Sequence, residues 1–163
     1  MKNIKISEEY KTLHDKGFFK GKSVLQHKGE IKNLINETQS KTILDFGSGK
    51  GEQYKKYHLD KEFGVNVSCY DPYVKEFSVL PNCFFDGVIC TDVFEHISEE
   101  SINETFDLIK SRAKKFIFLG ICTRAAKKKF SNGQNVHLTI KPLDWWVDRL
   151  LCDDVSLVIK ESI

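Results

Sequence analysis

Apolar residues change their period at residue 42. Before it they recur at helical spacing; after it, short β-branched and aromatic runs alternate with amphipathic stretches. Tyr10 and Leu13 lie three apart between Ser7, read as a helix start with Glu8 and Glu9 behind it, and Gly17 as the stop. From Ser23 the positions Val24, Ile31, Leu34 and Ile35 keep a helical stripe up to the polar NETQSK. TILDF (42–46) is too apolar on both sides to be an exposed edge, which predicts a central strand of a parallel sheet.

Three further strands are predicted: VNVSCY (65–70), DGVICT (86–91) and KFIFLGI (115–121). Between the last two, Ser98 with Glu99 and Glu100 opens a helix carrying Ile102, Phe106 and Ile109. Residues 122–135 are polar and basic, include KKK at 127–129 and the turn pair Asn132-Gly133, and read as a surface loop with no core element. Pro142 opens a last helix with Leu143, Trp146, Val147, Leu150 and Leu151 on one stripe, and VSLVIK (155–160) closes the series as a strand. Strand alternating with helix predicts an α/β fold: a doubly wound, mostly parallel sheet (41–163) behind a helical N-terminal extension (1–40), in one domain. Such sheets bind ligands at the carboxyl ends of their strands, where Gly47–Gly51, Asp71 and Asp92 fall.

Composition narrows this little. The chain has 163 residues, 40% hydrophobic and 29% charged, enough for one core, and its net charge of +2 gives no global field toward nucleic acid or an anionic membrane. The five cysteines form no C-x-x-C pair, and Cys69, Cys90 and Cys122 lie in or at the end of apolar runs, as expected for a reducing compartment. MKNIKISEEY has no signal-peptide core and no apolar run is long enough to span a membrane, so the expected location is cytoplasmic.

The chemistry centres on Gly47, Gly49 and Gly51, which let a ligand approach the main chain closely. A dinucleotide fingerprint is G-x-G-x-x-G; here the third glycine comes one residue early and Glu52 stands in its place, where it would oppose a pyrophosphate. Asp45, just before the loop, suits a cationic or hydroxyl-bearing ligand better than a phosphate.

Asp45-Phe46-Gly47-Ser48-Gly49-Lys50-Gly51 resembles the first motif of the class I S-adenosylmethionine-dependent methyltransferases, an acid followed by G-x-G-x-G. FDGVICTDVFEHI (85–97), with Asp92-Val93-Phe94-Glu95-His96, resembles the fourth-strand segment of many of its small-molecule members. NVHLTIKPLDWW, with Phe19–Ser23, is similar to segments of a subgroup of small bacterial and phage methyltransferases. The resemblance covers roughly residues 41–160. It implies a Rossmann-like fold and S-adenosyl-L-methionine held by Asp45, Gly47, Ser48, Gly49, Gly51, Asp71, Pro72, Thr91 and Asp92, with Asp71 accepting from the ribose hydroxyls. It also implies in-line methyl transfer to a small-molecule acceptor, with His137 or His96 as base. Two departures accompany it. Asp71 and Asp86 are so close that the family's third strand is short or missing, and no segment corresponds to its seventh, leaving an edge that a second copy could cover.

Other readings are weaker. Asp71-Pro72-Tyr73 resembles the D-P-P-Y motif of base-flipping methyltransferases but follows the wrong strand, and the Lys run reads as a solvated face, so nucleic acid is not the expected partner. Glu95 and His96 could simply pair to hold their loop. If residues 136–140 are extended, His137 points with Thr139 away from Val136, Leu138 and Ile140, and Trp145 lies off its helix's apolar stripe, so both are candidate substrate contacts. Asp92, Glu95 and His96 are too close in sequence to count as three separate ligands, and no metal is expected. The competing functions are a non-catalytic or accessory binder of the same cofactor and, against the glycine spacing, a dinucleotide oxidoreductase.

Overall fold

A computed structural model describes the backbone of residues 2–163 and the side chains from Glu8 onward. Strands β1 (Thr42–Phe46), β2 (Asn66–Tyr70), β3 (Phe85–Thr91), β4 (Ala113–Ile121) and β5 (Ser156–Glu161) form one all-parallel sheet in the order β2-β1-β3-β4-β5. The helices are α1 (Lys2–Asp15), α2 (Lys28–Glu37), α3 (Glu52–Lys55), α4 (Leu59–Phe63), α5 (Ile102–Lys110) and α6 (Leu143–Arg149). This is the doubly wound, Rossmann-like α/β architecture. The chain turns from β1 outward to β2, then returns to β3 on β1's other side, so the order reverses between β1 and β3 and a crevice opens at their carboxyl ends. From Tyr70 to Phe85 the chain forms only a 3₁₀ turn (Lys75–Phe77) and no strand, which leaves β2 at one edge; β5 is the other.

Alternation along the strands builds both faces of the core. Leu44, Phe46, Val88, Cys90, Ile117, Leu119 and Ile121 pack with Phe106 and Ile109 of α5 and with Trp146 and Leu150. Their neighbours Ile43, Ile89, Phe116 and Phe118 pack on the other side with Ile31 and Ile35 of α2 and with Leu59 and Phe63 of α4. A third cluster, Tyr10 from α1 with Phe130 and Val136, lies beyond the carboxyl ends of the strands.

Four sequence expectations are corrected. Ser7 is inside α1, not at its start. In the last helix only Trp146 and Leu150 are buried; Val147 and Leu151 face solvent, because α6 is just two turns long and meets the sheet on a narrow line. The 122–135 segment does hold core residues, since Phe130 is buried against Tyr10. Residues 136–140 form no strand, and Thr139 is buried while Ile140 is exposed, so alternation does not describe that stretch.

Candidate functional site

The glycine loop is built against the protein's own chain. Backbone of Phe19–Gly21 runs along it: the amides of Lys50, Glu52 and Gln53 donate to the carbonyls of Phe19, Lys20 and Gly21 at 3.2, 3.1 and 2.8 Å. Gly49 has a φ of 55°, and a Cβ there would meet the Gly21 nitrogen at 2.9 Å; one on Gly21 would meet the Gly51 nitrogen at 2.7 Å. Bare backbone is therefore needed on both sides of this crossing. The remaining loop amides are also taken: Gly47 and Ser48 donate to the Tyr70 carbonyl, Gly51 to that of Ser48, and Gly49 to the Asp71 carboxylate at 2.9 Å.

Asp45 faces into this scaffold. It is 1% exposed, its Oδ2 accepts from the Gln53 amide and from the Tyr54 hydroxyl (2.8 Å), and burial pushes its pKa up to about 7. Asp45, a candidate cofactor contact in the sequence, anchors the start of α3 through these two bonds. Ser48 is likewise buried, and neither it nor Asp45 nor Gly51 lines the two cavities over the crevice.

Two adjoining cavities lie over the crevice and share Phe19, Gly47, Asp92 and His96. The smaller, about 330 Å³, has Asp71 on its wall among Phe46, Tyr70, Pro72, Val93 and Leu108. Asp71 is buried, and its two oxygens accept the Gly49 and Tyr73 amides, each at 2.9 Å, with His14 Nε2 3.9 Å away. The larger cavity, about 680 Å³, is bounded by Gly49, Thr91, Asp92, Glu95 and His137 and by cationic Lys20, Lys22, Arg124, Lys127 and Lys128. Ser23 ties the N-terminal segment to this wall through its hydroxyl, 2.8 Å from that of Thr91. Asp92 adopts a left-handed φ of 55°, a strained geometry for a non-glycine residue, and its buried Oδ1 has no hydrogen-bond partner.

Glu95 and His96 do not pair; each holds the return of the chain at 136–139. The Glu95 carbonyl accepts the amides of Leu138 (2.7 Å) and Thr139 (3.1 Å), while its carboxylate accepts the Cys122 amide at 3.2 Å. His96 donates Nδ1–H to the Val136 carbonyl at 3.0 Å, and burial holds its pKa down at about 4, so it is neutral with a lone pair on Nε2. His137 donates Nδ1–H to the Arg124 carbonyl at 2.6 Å, and the two rings meet edge to face with centroids 4.8 Å apart.

Of the residues singled out in the sequence, Gly47, Gly49, Asp71, Pro72, Thr91, Asp92, His96 and His137 line these cavities. Trp145 does not: it packs on the core between Lys141 and Arg149. Sequence reasoning missed Tyr10, His14 and Cys122, which the fold brings to the cleft from distant segments. Compared with known proteins, the chain matches no family model, no curated protein and no solved structure. No helix of the described residues is long and apolar enough to cross a membrane.

Proposed function

We propose that the protein is an S-adenosylmethionine-dependent methyltransferase acting on a small molecule. The observation that carries this reading is the accounting of loop amides: every N–H from Gly47 to Gln53 already has a protein acceptor. Phosphate sites at strand-to-helix loops use free amides and a helix N-terminus. Here α3 has four residues and begins with Glu52, whose carboxylate is 3.2 Å from Lys22. The loop offers a pyrophosphate no amide cradle, which favours a nucleoside without phosphates. Asp71 retains acceptor capacity for ribose hydroxyls beside an apolar slot suited to a purine, and Gly47 and Asp92 lie where that slot passes into the larger cavity.

S-adenosylmethionine bound across the two cavities would supply an electrophilic methyl group on a sulfonium. The chain's residues would align an acceptor in the larger cavity for in-line attack and receive its proton. His137 is the candidate base: its Nδ1–H bond to the Arg124 carbonyl leaves the lone pair on Nε2, whereas a histidine held at about 4, like His96, is too weak. The five cations on the cavity wall favour an anionic acceptor. The free cysteines fit a cytoplasmic protein.

The test is incubation with methyl-labelled cofactor and fractionated metabolite pools. Label in a small anionic product supports the reading. Cofactor binding without transfer to any pool would instead favour a non-catalytic binder.

A further inference from the structure

One group on the wall of the larger cavity is unexplained by methyl transfer. Glu95 is 0% exposed; one carboxylate oxygen accepts the Cys122 amide, and the other, Oε2, is buried without a partner. A buried carboxylate oxygen left this way is costly unless a donor or cation meets it. The side chains offering ligand atoms nearby are Cys122 and His137, and one atom from each of the three residues lies within 4.8 Å of the others. They come from three separate segments: the turn after β3, the end of β4, and the chain that returns to the cleft.

We infer that Glu95, Cys122 and His137 form a binding site for a divalent transition-metal ion of the zinc type. Ligands at about 2.0–2.3 Å in a tetrahedron stand roughly 3.5 Å apart, so modest side-chain rotation closes the site. Oxygen, thiolate sulfur and imidazole nitrogen together suit zinc, whereas magnesium and calcium take oxygen. The second shell is already in place. The Cys122 amide fixes the Glu95 carboxylate, and the Arg124 carbonyl takes the Nδ1–H of His137, which sets the tautomer with its lone pair on Nε2. Cys122 is a free thiol. Three protein ligands leave a fourth position, and all three residues line the larger cavity, so it opens where an acceptor would lie. A metal there would acidify a bound hydroxyl or thiol, which would then lose its proton to solvent in the cavity, so that His137 would serve as ligand and not as base. The sequence concealed this site because Cys122 reads as a small hydrophobe at a strand end.

Binding can be tested without any acceptor. The purified full chain, stripped with chelator, is titrated with Co²⁺ and, separately, with Zn²⁺ against a chromophoric chelator. One equivalent of metal and a thiolate-to-cobalt charge-transfer band are expected. Cys122→Ser should abolish the band, and Cys122→Ser and His137→Ala should each weaken zinc binding by more than the about 10–100-fold that loss of an outer-shell partner costs. Both residues are only half-buried, so these variants should fold even if Glu95→Gln does not. Cys83→Ser, at an exposed thiol outside both cavities, should leave band and affinity unchanged. No stoichiometric binding to the wild-type chain, or binding that survives both Cys122→Ser and His137→Ala, would overturn the site. Neither result bears on S-adenosylmethionine binding, which is measured separately.

Discussion

Asp71 accepts the amide of Gly49 at 2.9 Å, so the acid that ends β2 and the middle glycine of the loop after β1 act as one unit. The residue read as a ribose acceptor also sets the loop's shape. Replacing it therefore has two effects, on fold and on cofactor.

Asp71→Ala should lower stability, since it leaves the Gly49 and Tyr73 amides without their acceptors at about 1–3 kcal/mol each. Asp71→Asn keeps one acceptor oxygen and should lose less. Cofactor affinity, measured by calorimetry on the folded Asn variant, should still fall, by roughly tenfold or more for a charged hydrogen bond worth about 1.5–3 kcal/mol. Unchanged affinity in that variant would remove Asp71 from the cofactor site.

Gly49→Ala should be much more damaging than Gly133→Ala. Both glycines have positive φ, but a Cβ at Gly133 meets nothing within 4 Å, while at Gly49 it strikes the Phe19–Gly21 backbone. The shared conformational cost is about 1–2 kcal/mol, and the clash should add about 1–3 kcal/mol at Gly49 alone. Urea denaturation of the two variants checks this; equal losses would mean that the crossing of Gly21 and Gly49 is loose.

Asp45 gives a pH prediction. Its folded pKa of about 7 lies above its ordinary value near 3.8, so the folded state binds the proton more tightly. Its contribution to stability is then present below about pH 4 and is lost as pH rises toward 7, at up to about 1.4 kcal/mol per pH unit. Asp45→Asn keeps an oxygen for Gln53 and Tyr54 and removes this loss. The variant should gain on wild type in urea melts at pH 8 relative to pH 4.5; a relative loss at pH 8 would show that Gln53 and Tyr54 favour the charged carboxylate more than burial opposes it.

His137→Ala should leave S-adenosylhomocysteine affinity within a few-fold while methyl transfer to an identified acceptor falls by about 10²-fold or more. Equal turnover would take His137 out of the reaction, whether as base or as metal ligand.

The sheet was legible because its strands carry their own pattern. Ile43 and Leu44, or Phe118 and Leu119, are apolar on both faces, and only a covered parallel strand needs that. Asp45 follows the same alternation, sharing a strand face with Ile43, which points into the core. Phe19–Gly21 and residues 122–138 were less accessible. They are irregular segments held by tertiary contacts, Gly21 on Gly49 and Phe130 on Tyr10, that leave no period in the sequence. Cys122 and His137 meet only because the chain returns to the cleft after β4.

On the proposed reading the crevice takes an S-adenosyl nucleoside without phosphates, either the cofactor or its thioether product, and not a dinucleotide. Isothermal titration of the full chain with S-adenosylhomocysteine, NAD and ADP tests it most directly. Binding of S-adenosylhomocysteine at one equivalent, with no heat from NAD or ADP at the same concentrations, is the predicted result; at a hundred times its Kd it should also stabilise the fold by about 2.7 kcal/mol. Saturable binding of NAD or ADP with none of S-adenosylhomocysteine would rule out an S-adenosyl nucleoside site and point to a phosphate-bearing ligand.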